Sequence, residues 1–342
     1  MSAPIIMNAN DTASWVVHKF GGSSMADAGC FERVAAIVES PSLTSSAALG
    51  RGRAAIVVSA CKGVTDELLA LVALAERQDA GWRARLDMLR ERHMAIATAL
   101  LDARSSAEYL ADFDRDGADL SGALQTTSVM RSAAHNVLDL AGGYGEIWSS
   151  RLFYRYLQQR GVRTGLYWLD ARRCVTVQWG ALGPAVLWEQ SRVQLDGLMA
   201  TAGTPSPATL VITGFIASDP RGVQTTLGRN GSDFSASIFA VLLEATEIHI
   251  WTDVDGVLSA DPRRVPDAQV IDSLSYNEAM ELAYFGARVI HPQTMAPAVG
   301  RDIPIWIRNT FAPHKAGTLI CARPSSSLPV KGITSIEDVA LV

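Results

Sequence analysis

A lysine followed by two glycines and two serines is the first feature of the sequence that suggests chemistry. Residues 19–24 read K-F-G-G-S-S and follow a short apolar run at residues 15–17. Adjacent glycines let the backbone approach an anion, and the N–H groups at a helix start point toward one. Lys19 adds positive charge and Ser23 adds a hydroxyl. The segment predicts a phosphate-handling turn that opens a helix, although it matches neither common phosphate-loop pattern. A tight turn without a ligand is the alternative.

Four further segments could carry chemistry, and they lie in the second half of the chain. Residues 228–233 read G-R-N-G-S-D and precede an apolar helical stretch at residues 234–243. Residues 248–257 predict a strand that ends in an acidic turn. An Asp-Pro-Arg tripeptide follows at residues 261–263, and F-G-A-R-V-I-H-P occupies residues 285–292. Arginines and glycine turns recur in these segments, as expected of a site that handles charged oxygens.

These five segments, in this order, resemble those of the aspartate kinases in the amino-acid kinase family. The resemblance runs from about residue 16 to about residue 320. The combination of K-F-G-G-S-S, G-R-N-G-S-D and W-T-D-V-D-G resembles the aspartate branch, whereas glutamate 5-kinase, acetylglutamate kinase and uridylate kinase share the general plan. Residues 328–336 resemble the entry into the regulatory domain that follows this kinase domain. In some relatives a second enzyme, such as homoserine dehydrogenase or diaminopimelate decarboxylase, is fused beyond it, and the sequence does not decide between the two.

The composition fits a globular protein and excludes several other classes. The chain has 342 residues, of which 48% are apolar and 19% are charged, enough for one large domain or two. A net charge of −5 offers no footprint for nucleic acid or for an anionic membrane. No apolar run reaches the ~18 residues that a membrane span needs. The four cysteines lack C-x-x-C spacing and suggest reduced thiols, so we expect a cytoplasmic protein.

Short apolar runs alternate with helical stretches along most of the chain. This alternation predicts an α/β fold with an open, mostly parallel sheet sandwiched by helices. Helices are expected at residues 31–38 and 185–199, and Ser275 with Glu278 forms a capping box for another. The strand candidates are residues 16–20, 54–59, 165–169, 210–213, 247–251 and 303–307.

The strand pattern is interrupted at residues 66–140, which are rich in Ala, Leu and Arg and predict a helical insertion of two to four helices. Thr65 is a candidate N-cap for the first of them. We expect residues 1–14 to form a disordered tail and residues 15–322 to form the catalytic domain. Residues 323–342 would then hold a linker and the start of a regulatory domain.

The resemblance implies transfer of the γ-phosphoryl group of Mg-ATP to the side chain of L-aspartate. The products would be aspartyl 4-phosphate and ADP, at the first step of lysine, threonine and methionine synthesis. A carboxylate is already ionised at pH 7, so positioning and charge neutralisation would suffice. Magnesium would be held mostly by phosphate oxygens and water, without a dedicated protein site. The full-length protein is expected to form a homodimer, with no nucleic-acid or membrane partner.

The resemblance also assigns roles to individual residues. Lys19 would bridge the transferring phosphoryl group and the attacking carboxylate, and Asp233 would act beside it as the second catalytic residue. Glu146 would receive the α-ammonium group of the substrate, and Arg229 would grip its α-carboxylate. The remaining substrate-binding residues are Ser59, Thr65 and Ser232. The nucleotide-binding residues are Lys19, Gly21, Gly22, Ser23, Thr252, Asp253, Asp261, Arg263 and Arg288.

Simpler interpretations of these residues remain open at this stage. Thr65 would serve equally as a helix cap, and Glu146 as a dipole partner at a helix start. Arg229 and Asp233 could form a surface ion pair worth little. The sequence also departs from the family: Tyr144 stands in place of a histidine, Arg288 in place of a lysine and Leu258 in place of a tyrosine. The alternative functions are another acyl-phosphate-forming amino-acid kinase and a non-catalytic nucleotide-binding subunit.

Overall fold

Strands and helices alternate along most of the chain, and together they position one sheet edge. The computed structural model of the protein describes residues 14–40, 52–161, 165–202, 208–284, 291–325 and 330–334. Its strands are β1 (Trp15–Phe20), β2 (Arg53–Val58), β3 (Leu166–Leu169), β4 (Val177–Gly180), β5 (Gly183–Val186), β6 (Thr209–Thr213), β7 (Ile216–Ser218), β8 (Gln224–Thr226), β9 (Glu247–Thr252), β10 (Ser273–Ser275), β11 (Ile305–Asn309) and β12 (Thr318–Cys321).

Helices account for most of the remaining described residues. They are α1 (Ala28–Glu39), α2 (Val64–Glu76), α3 (Trp82–Leu100), α4 (Ala103–Met130), α5 (His135–Arg160), α6 (Trp188–Thr201), α7 (Gly231–Leu242), α8 (Tyr276–Tyr284) and α9 (Pro292–Val299), with short 3₁₀ helices at Gly22–Met25 and Ala171–Arg173. None of the described helices combines the length and the apolar character that crossing a bilayer requires.

The main sheet has eight strands in the order β10-β12-β11-β9-β1-β2-β6-β3. The six strands from β11 to β3 run parallel to one another. Strand β12 runs antiparallel to β11 and pairs in parallel with β10. The hairpins β4–β5 and β7–β8 form two small separate sheets. The predicted α/β class with an open, mostly parallel sheet is confirmed.

Helices cover both faces of this sheet. Phe20 and Ile56 point into an apolar core that they share with residues of α1 to α5. Val17 and Val57 point the other way, into a second core that they share with α7 and α9. Because alternate residues of a strand face opposite sides, both sets must be apolar. This explains why the sheet strands are continuous apolar runs in the sequence.

The carboxyl ends of the six parallel strands meet at one edge, and hydrogen bonds join the loops that follow them. The backbone N–H of Ser59 donates to the carbonyl of Phe20 at 3.1 Å. The N–H of Gly21 donates to the carbonyl of Trp251 at 3.3 Å, and that of Gly214 to the last carbonyl of β2 at 2.9 Å. Open α/β sheets bind their ligands at this edge.

All six predicted strands are present, and the largest shift in position is at β11. Helix α1 contains the predicted residues 31–38, but the helix predicted at residues 185–199 is wrong at its start. Residues 183–186 form β5, in which Pro184 pairs with Trp179 of β4. Helix α6 therefore begins only at Trp188. The local helical pattern was overridden by the tertiary pairing of a hairpin.

The helical insertion contains four helices, and its last member extends past the expected boundary. Helix α5 continues through residue 140 to Arg160. The prediction that Thr65 caps α2 is wrong, because Gly63 is the N-cap residue, with φ +78°. Glycine adopts this left-handed conformation without a steric penalty, and Thr65 lies in the first helical turn.

At α8 the predicted capping box is confirmed: Ser275 N donates to Glu278 at 2.7 Å, and Glu278 N donates to Ser275 Oγ at 3.2 Å. Residues 1–13, 326–329 and 335–342 lie outside the described residues. The expected tail and the expected linker fall largely on these segments, so the domain boundaries remain predictions.

Candidate active site

Lys19 and Asp233 form an ion pair at the carboxyl edge of the sheet. Lys19 is the second-last residue of β1 and its side chain points toward α7, where Asp233 lies in the first turn. The distance from Lys19 Nζ to Asp233 Oδ1 is 2.7 Å, and only 13% and 17% of the two side chains are exposed. The pair is therefore largely shielded from water, which strengthens its field on a nearby ligand.

The glycine turn after β1 lies between the end of β9 and the loop after β2. A 3₁₀ turn begins at Gly22, and α1 follows only after an N-cap at Asp27. A Cβ on Gly22 would lie 3.2 Å from the carbonyl oxygen of Ala60, so the turn and the loop are in close contact. Ser23 is half-buried in this turn. The structure places Gly21, Gly22 and Ser23 directly after the strand that carries Lys19.

Glu146 is buried inside α5, not at the start of a helix, so a dipole partnership at a helix start is excluded. Only 3% of the surface of Glu146 is exposed. Burial raises the pKa of the carboxyl group to about 8, against smaller opposing effects of a backbone hydrogen bond from Ala60 and of the charge of Lys19. Oε2 has no hydrogen-bond partner among the described residues. A buried acceptor left open is costly, and an ammonium group would satisfy it.

Arg229 lies between β8 and α7, four residues before Asp233 in the chain. Its side chain is exposed and makes no hydrogen bond or ion pair with the rest of the described chain. The alternative of an Arg229–Asp233 surface pair is wrong, because the acid pairs with Lys19. Ser232 lies beside the loop after β6, where a Cβ on Gly214 would be 3.1 Å from Ser232 Oγ. A free guanidinium beside a helix N-terminus suits a carboxylate.

Ser59 and Thr65 flank the loop that Glu146 approaches. Ser59 is 8% exposed, and its carbonyl accepts a hydrogen bond from Ser149 Oγ at 2.7 Å. Thr65 is half-buried in the first turn of α2. A Cβ on Gly145 of α5 would lie 2.6 Å from Cβ of Ala60, so α5 packs directly on this loop. The structure therefore brings both predicted hydroxyl residues to the same edge as Glu146.

The predicted nucleotide residues are only partly brought together. Thr252 ends β9 next to the glycine turn, and its hydroxyl bonds Asp253 at 3.2 Å. Asp261 and Arg263 pair with each other at 2.7 Å, and the arginine lowers the pKa of Asp261 to about 2. No hydrogen bond or ion pair among the described residues links this pair to Lys19. Arg288 lies outside the described residues.

The sequence analysis did not identify Asp139 and Phe215, two residues that pack behind the site and hold its elements together. Asp139 of α5 is buried and accepts hydrogen bonds from the hydroxyls of Thr225 at 3.1 Å and Thr226 at 2.8 Å, which fastens β8 to α5. Phe215 follows β6 with φ +65°, a conformation uncommon for a bulky residue. The adjacent threonines gave no signal that they bind a buried acid. A groove of about 340 Å³ beside Trp188 and Arg301 lies away from these residues.

The donor set also bears on a metal ion. Among the described residues, no group of three or more His, Cys, Asp or Glu side chains is arranged to hold one. Asp233 is the carboxylate next to Lys19, and it could join an ion that arrives on nucleotide phosphates. Such an arrangement fits magnesium, which commonly binds through one or two carboxylates, phosphates and water.

The chain resembles characterised kinases over most of its length. The model of the amino acid kinase family matches residues 14–309. The bifunctional aspartokinase/homoserine dehydrogenase 1 of Zea mays is 38% identical over 337 residues, which cover 96% of this chain and 35% of that protein. The lysine-sensitive aspartokinase 3 of Escherichia coli is 35% identical over 316 residues, covering 90% of this chain and 64% of that protein.

A solved structure gives the same result. The structure of E. coli aspartokinase III in complex with aspartate and ADP superposes with a TM-score of 0.77 at 31% identity, covering 90% of this chain and 64% of that one. The present chain thus spans about a third of the length of the bifunctional relatives. The family match over residues 14–309, with the sheet edge described above, shows that the chain belongs to the amino acid kinase family.

Proposed function

We propose that the chain catalyses transfer of the γ-phosphoryl group of Mg-ATP to the side-chain carboxylate of L-aspartate. One observation carries the proposal. The buried carboxyl group of Glu146, with an unpartnered Oε2, lies close enough to Lys19 for that charge to lower its pKa. The exposed cation of Arg229 belongs to the segment that carries Asp233, the ion-pair partner of Lys19. A free amino acid carries an ammonium group and a carboxylate. Glu146 would accept hydrogen bonds from the first, Arg229 would donate to the second, and Lys19 belongs to the same site.

The reaction needs no base because the nucleophile is already a carboxylate. One of its oxygens forms a bond to the γ-phosphorus, the bond from that phosphorus to the bridging oxygen breaks, and the electron pair leaves with ADP. Lys19 would neutralise the charge that develops on the transferred group. Asp233 fixes the position of the Lys19 ammonium group through their ion pair. Bound magnesium would neutralise phosphate charge, and Asp233 would be the carboxylate that joins it. Glu146 and Arg229 would orient the substrate.

The relatives support this assignment at the level of their names. Several are aspartokinases, and one solved neighbour holds aspartate and ADP. Use of magnesium, a homodimer in the full-length protein and a cytoplasmic location belong to the same proposal. The location rests on four cysteines that are all free, although plant relatives are described as chloroplastic. The bifunctional relatives extend well beyond the part that this chain matches.

A hydroxamate assay tests the function directly, because hydroxylamine traps an acyl phosphate. The purified protein is incubated with Mg-ATP, hydroxylamine and each of aspartate, glutamate and N-acetylglutamate. We expect hydroxamate formation with aspartate and a loss of that product in Glu146→Gln. Product with glutamate or N-acetylglutamate in preference to aspartate would favour another acyl-phosphate-forming kinase. Binding of ATP without product from any acid would favour a non-catalytic subunit.

A further inference from the structure

A sharp turn after β6 lies between α5, which carries Glu146, and α7, which follows Arg229. These two residues would bind the ammonium and carboxylate groups of aspartate, and the space between them is called the amino-acid site here. Ile216 N donates a hydrogen bond to the carbonyl of Gly214 at 2.7 Å, and the residue between them, Phe215, has φ +65°. An i to i+2 hydrogen bond around a left-handed residue defines a γ-turn, a rare and strained form. For a non-glycine residue such a conformation is strained and persists only where the surroundings impose it.

The backbone of Phe215 is tied to the segment that contains Arg229. Its N–H donates to Ser235 Oγ at 2.9 Å, and the same hydroxyl donates to the carbonyl of Gly231 at 3.0 Å. Its carbonyl accepts from the N–H of Leu227 at 2.7 Å. Leu227 lies two residues before Arg229, and Ser235 lies in the first turns of α7. The N–H of Phe215 thus holds the first turns of α7, and its carbonyl holds the segment just before Arg229.

The ring of Phe215 fills the space between α7 and α5. A Cβ on Gly231 would lie 2.6 Å from Cδ2 of the ring, and a Cβ on Gly142 would lie 3.7 Å from Cε1. Gly142 precedes Glu146 by one helical turn, so the two share a face of α5. The ring therefore acts as a spacer between the helix that carries Glu146 and the segment that carries Arg229.

We infer that Phe215 is a positioning residue that sets the separation between the ammonium-binding and carboxylate-binding ends of the amino-acid site. The inference rests on the proposed function, because it assigns those two ends to Glu146 and Arg229. The backbone hydrogen bonds of Phe215 go to Ser235 and Leu227, on the side of the site that would hold the amino acid. Among the described residues, no hydrogen bond joins Phe215 to the glycine turn after β1 or to the end of β9.

The test compares Phe215→Gly and Phe215→Leu with Phe153→Leu, which alters a buried phenylalanine of α5 that packs on Phe31 away from the site. Glycine accepts a positive φ, so Phe215→Gly removes the ring and keeps the turn. Hydroxamate kinetics give KM for aspartate and KM for ATP separately. We expect Phe215→Gly to raise KM for aspartate about 10–100-fold with KM for ATP unchanged. Phe215→Leu, which keeps part of the volume, should fall between it and the parent.

Three results would overturn the inference. One is an unchanged KM for aspartate in Phe215→Gly; another is an equal rise of both KM values, as for general loosening in Phe153→Leu. If Phe215→Gly does not fold, Phe215→Leu decides alone by the same split. Failure of the parent protein to phosphorylate aspartate is the third result. It removes the proposed function and this role together, whereas an active parent with an unaffected variant removes only the role of Phe215.

Discussion

Glu146 carries a carboxyl group that burial keeps mostly protonated at neutral pH, because its pKa is raised to about 8. An ammonium ligand needs the ionised form, so aspartate binding should release close to one proton per site at pH 7. The affinity for aspartate should rise about tenfold per pH unit below pH 8 and then level off. Titration calorimetry in buffers of different ionisation enthalpy measures the released proton.

The variant Glu146→Gln is the control for this titration. It should bind aspartate weakly, with no pH dependence from this site. In the parent, the folded state retains a proton that the unfolded state loses above about pH 4.5. The free energy of unfolding should therefore fall by a few kcal/mol as pH rises from about 4.5 to about 8. A parent protein whose stability and affinity follow the same pH course as Glu146→Gln would show that Glu146 is ionised throughout.

In the proposed function, Lys19 lies where negative charge would develop on the transferred group. We expect Lys19→Ala to lower kcat about 10²–10³-fold while KM for aspartate changes much less, as for loss of one preorganised charge contact. Steady-state hydroxamate assays give both constants. The control is Arg104→Ala, which removes an exposed cation of α4 that pairs with Glu108 and should retain the parent kcat. A kcat for Lys19→Ala within tenfold of the parent would remove the catalytic role assigned to this lysine.

Arg229 has an exposed guanidinium without a partner in the described chain, which leaves both of its prongs for a carboxylate. Arg229→Lys keeps the charge but replaces a two-point contact with a single one. We expect KM for aspartate to rise about tenfold or more, with kcat affected less. Arg221→Lys is a suitable control, because Arg221 is exposed and pairs with Asp219 in the preceding turn. An unchanged KM in Arg229→Lys would place the carboxylate contact elsewhere.

At the scale of elements, the glycine turn and the loop after β2 are held in close contact. A Cβ on Gly22 would lie 3.2 Å from the carbonyl oxygen of Ala60, so one of the two segments must move in Gly22→Ala. We expect KM for ATP to rise about tenfold while the affinity for aspartate changes less. Gly122→Ala is the control, because nothing lies within 4 Å of a Cβ there in α4. Equal kinetics for the two variants would separate this turn from the nucleotide.

The sheet could be predicted from the sequence more fully than the helix starts could. Strands buried on both faces leave continuous apolar runs, and each of the six runs became a strand. Thr65 has the right side chain for a cap, but a left-handed glycine two residues earlier begins α2. Residues 185 and 186 were predicted to begin a helix, but they belong to β5 and pair with β4. The spacer Phe215 had no local signal, because its conformation depends on partners in α7.

At the scale of the whole molecule, the candidate site lies at the carboxyl edge of the main sheet, where the two apolar cores on its opposite faces meet. Lys19 is on the face of the second core, while Glu146 belongs to a helix that packs on the first. The side chains of the site therefore come from opposite layers and meet beyond the ends of the strands. The sequence predicted Lys19 at the end of a strand and Asp233 at the start of a helix, but only the packing of both layers brings Glu146, from the interior of α5, to the same edge.

The pairing of β1 with β9 has a consequence for how the protein is made. The two strands are neighbours in the sheet, yet Trp15 and Thr246, which are joined by a hydrogen bond, are 231 residues apart in the chain. At about 5–20 residues per second, a ribosome would need roughly 10–50 s to complete β9 after β1 has emerged. During that interval β1 has β2 on one side and an open, aggregation-prone edge on the other.

We therefore expect nascent chains halted with residues 1–243 outside the ribosome to be cleaved readily near β1 and to bind holding chaperones. Chains halted with residues 1–325 outside should resist cleavage, because the open edge of β1 is then covered by β9. Limited proteolysis of the two arrested species makes the comparison, and equal resistance would mean that the first half folds without its later neighbour. If the edge is open as expected, slow translation of the residues before 247 would lengthen the time for which it stays unpaired. The yield of active protein would therefore depend on the elongation rate as well as on the stability of the native fold.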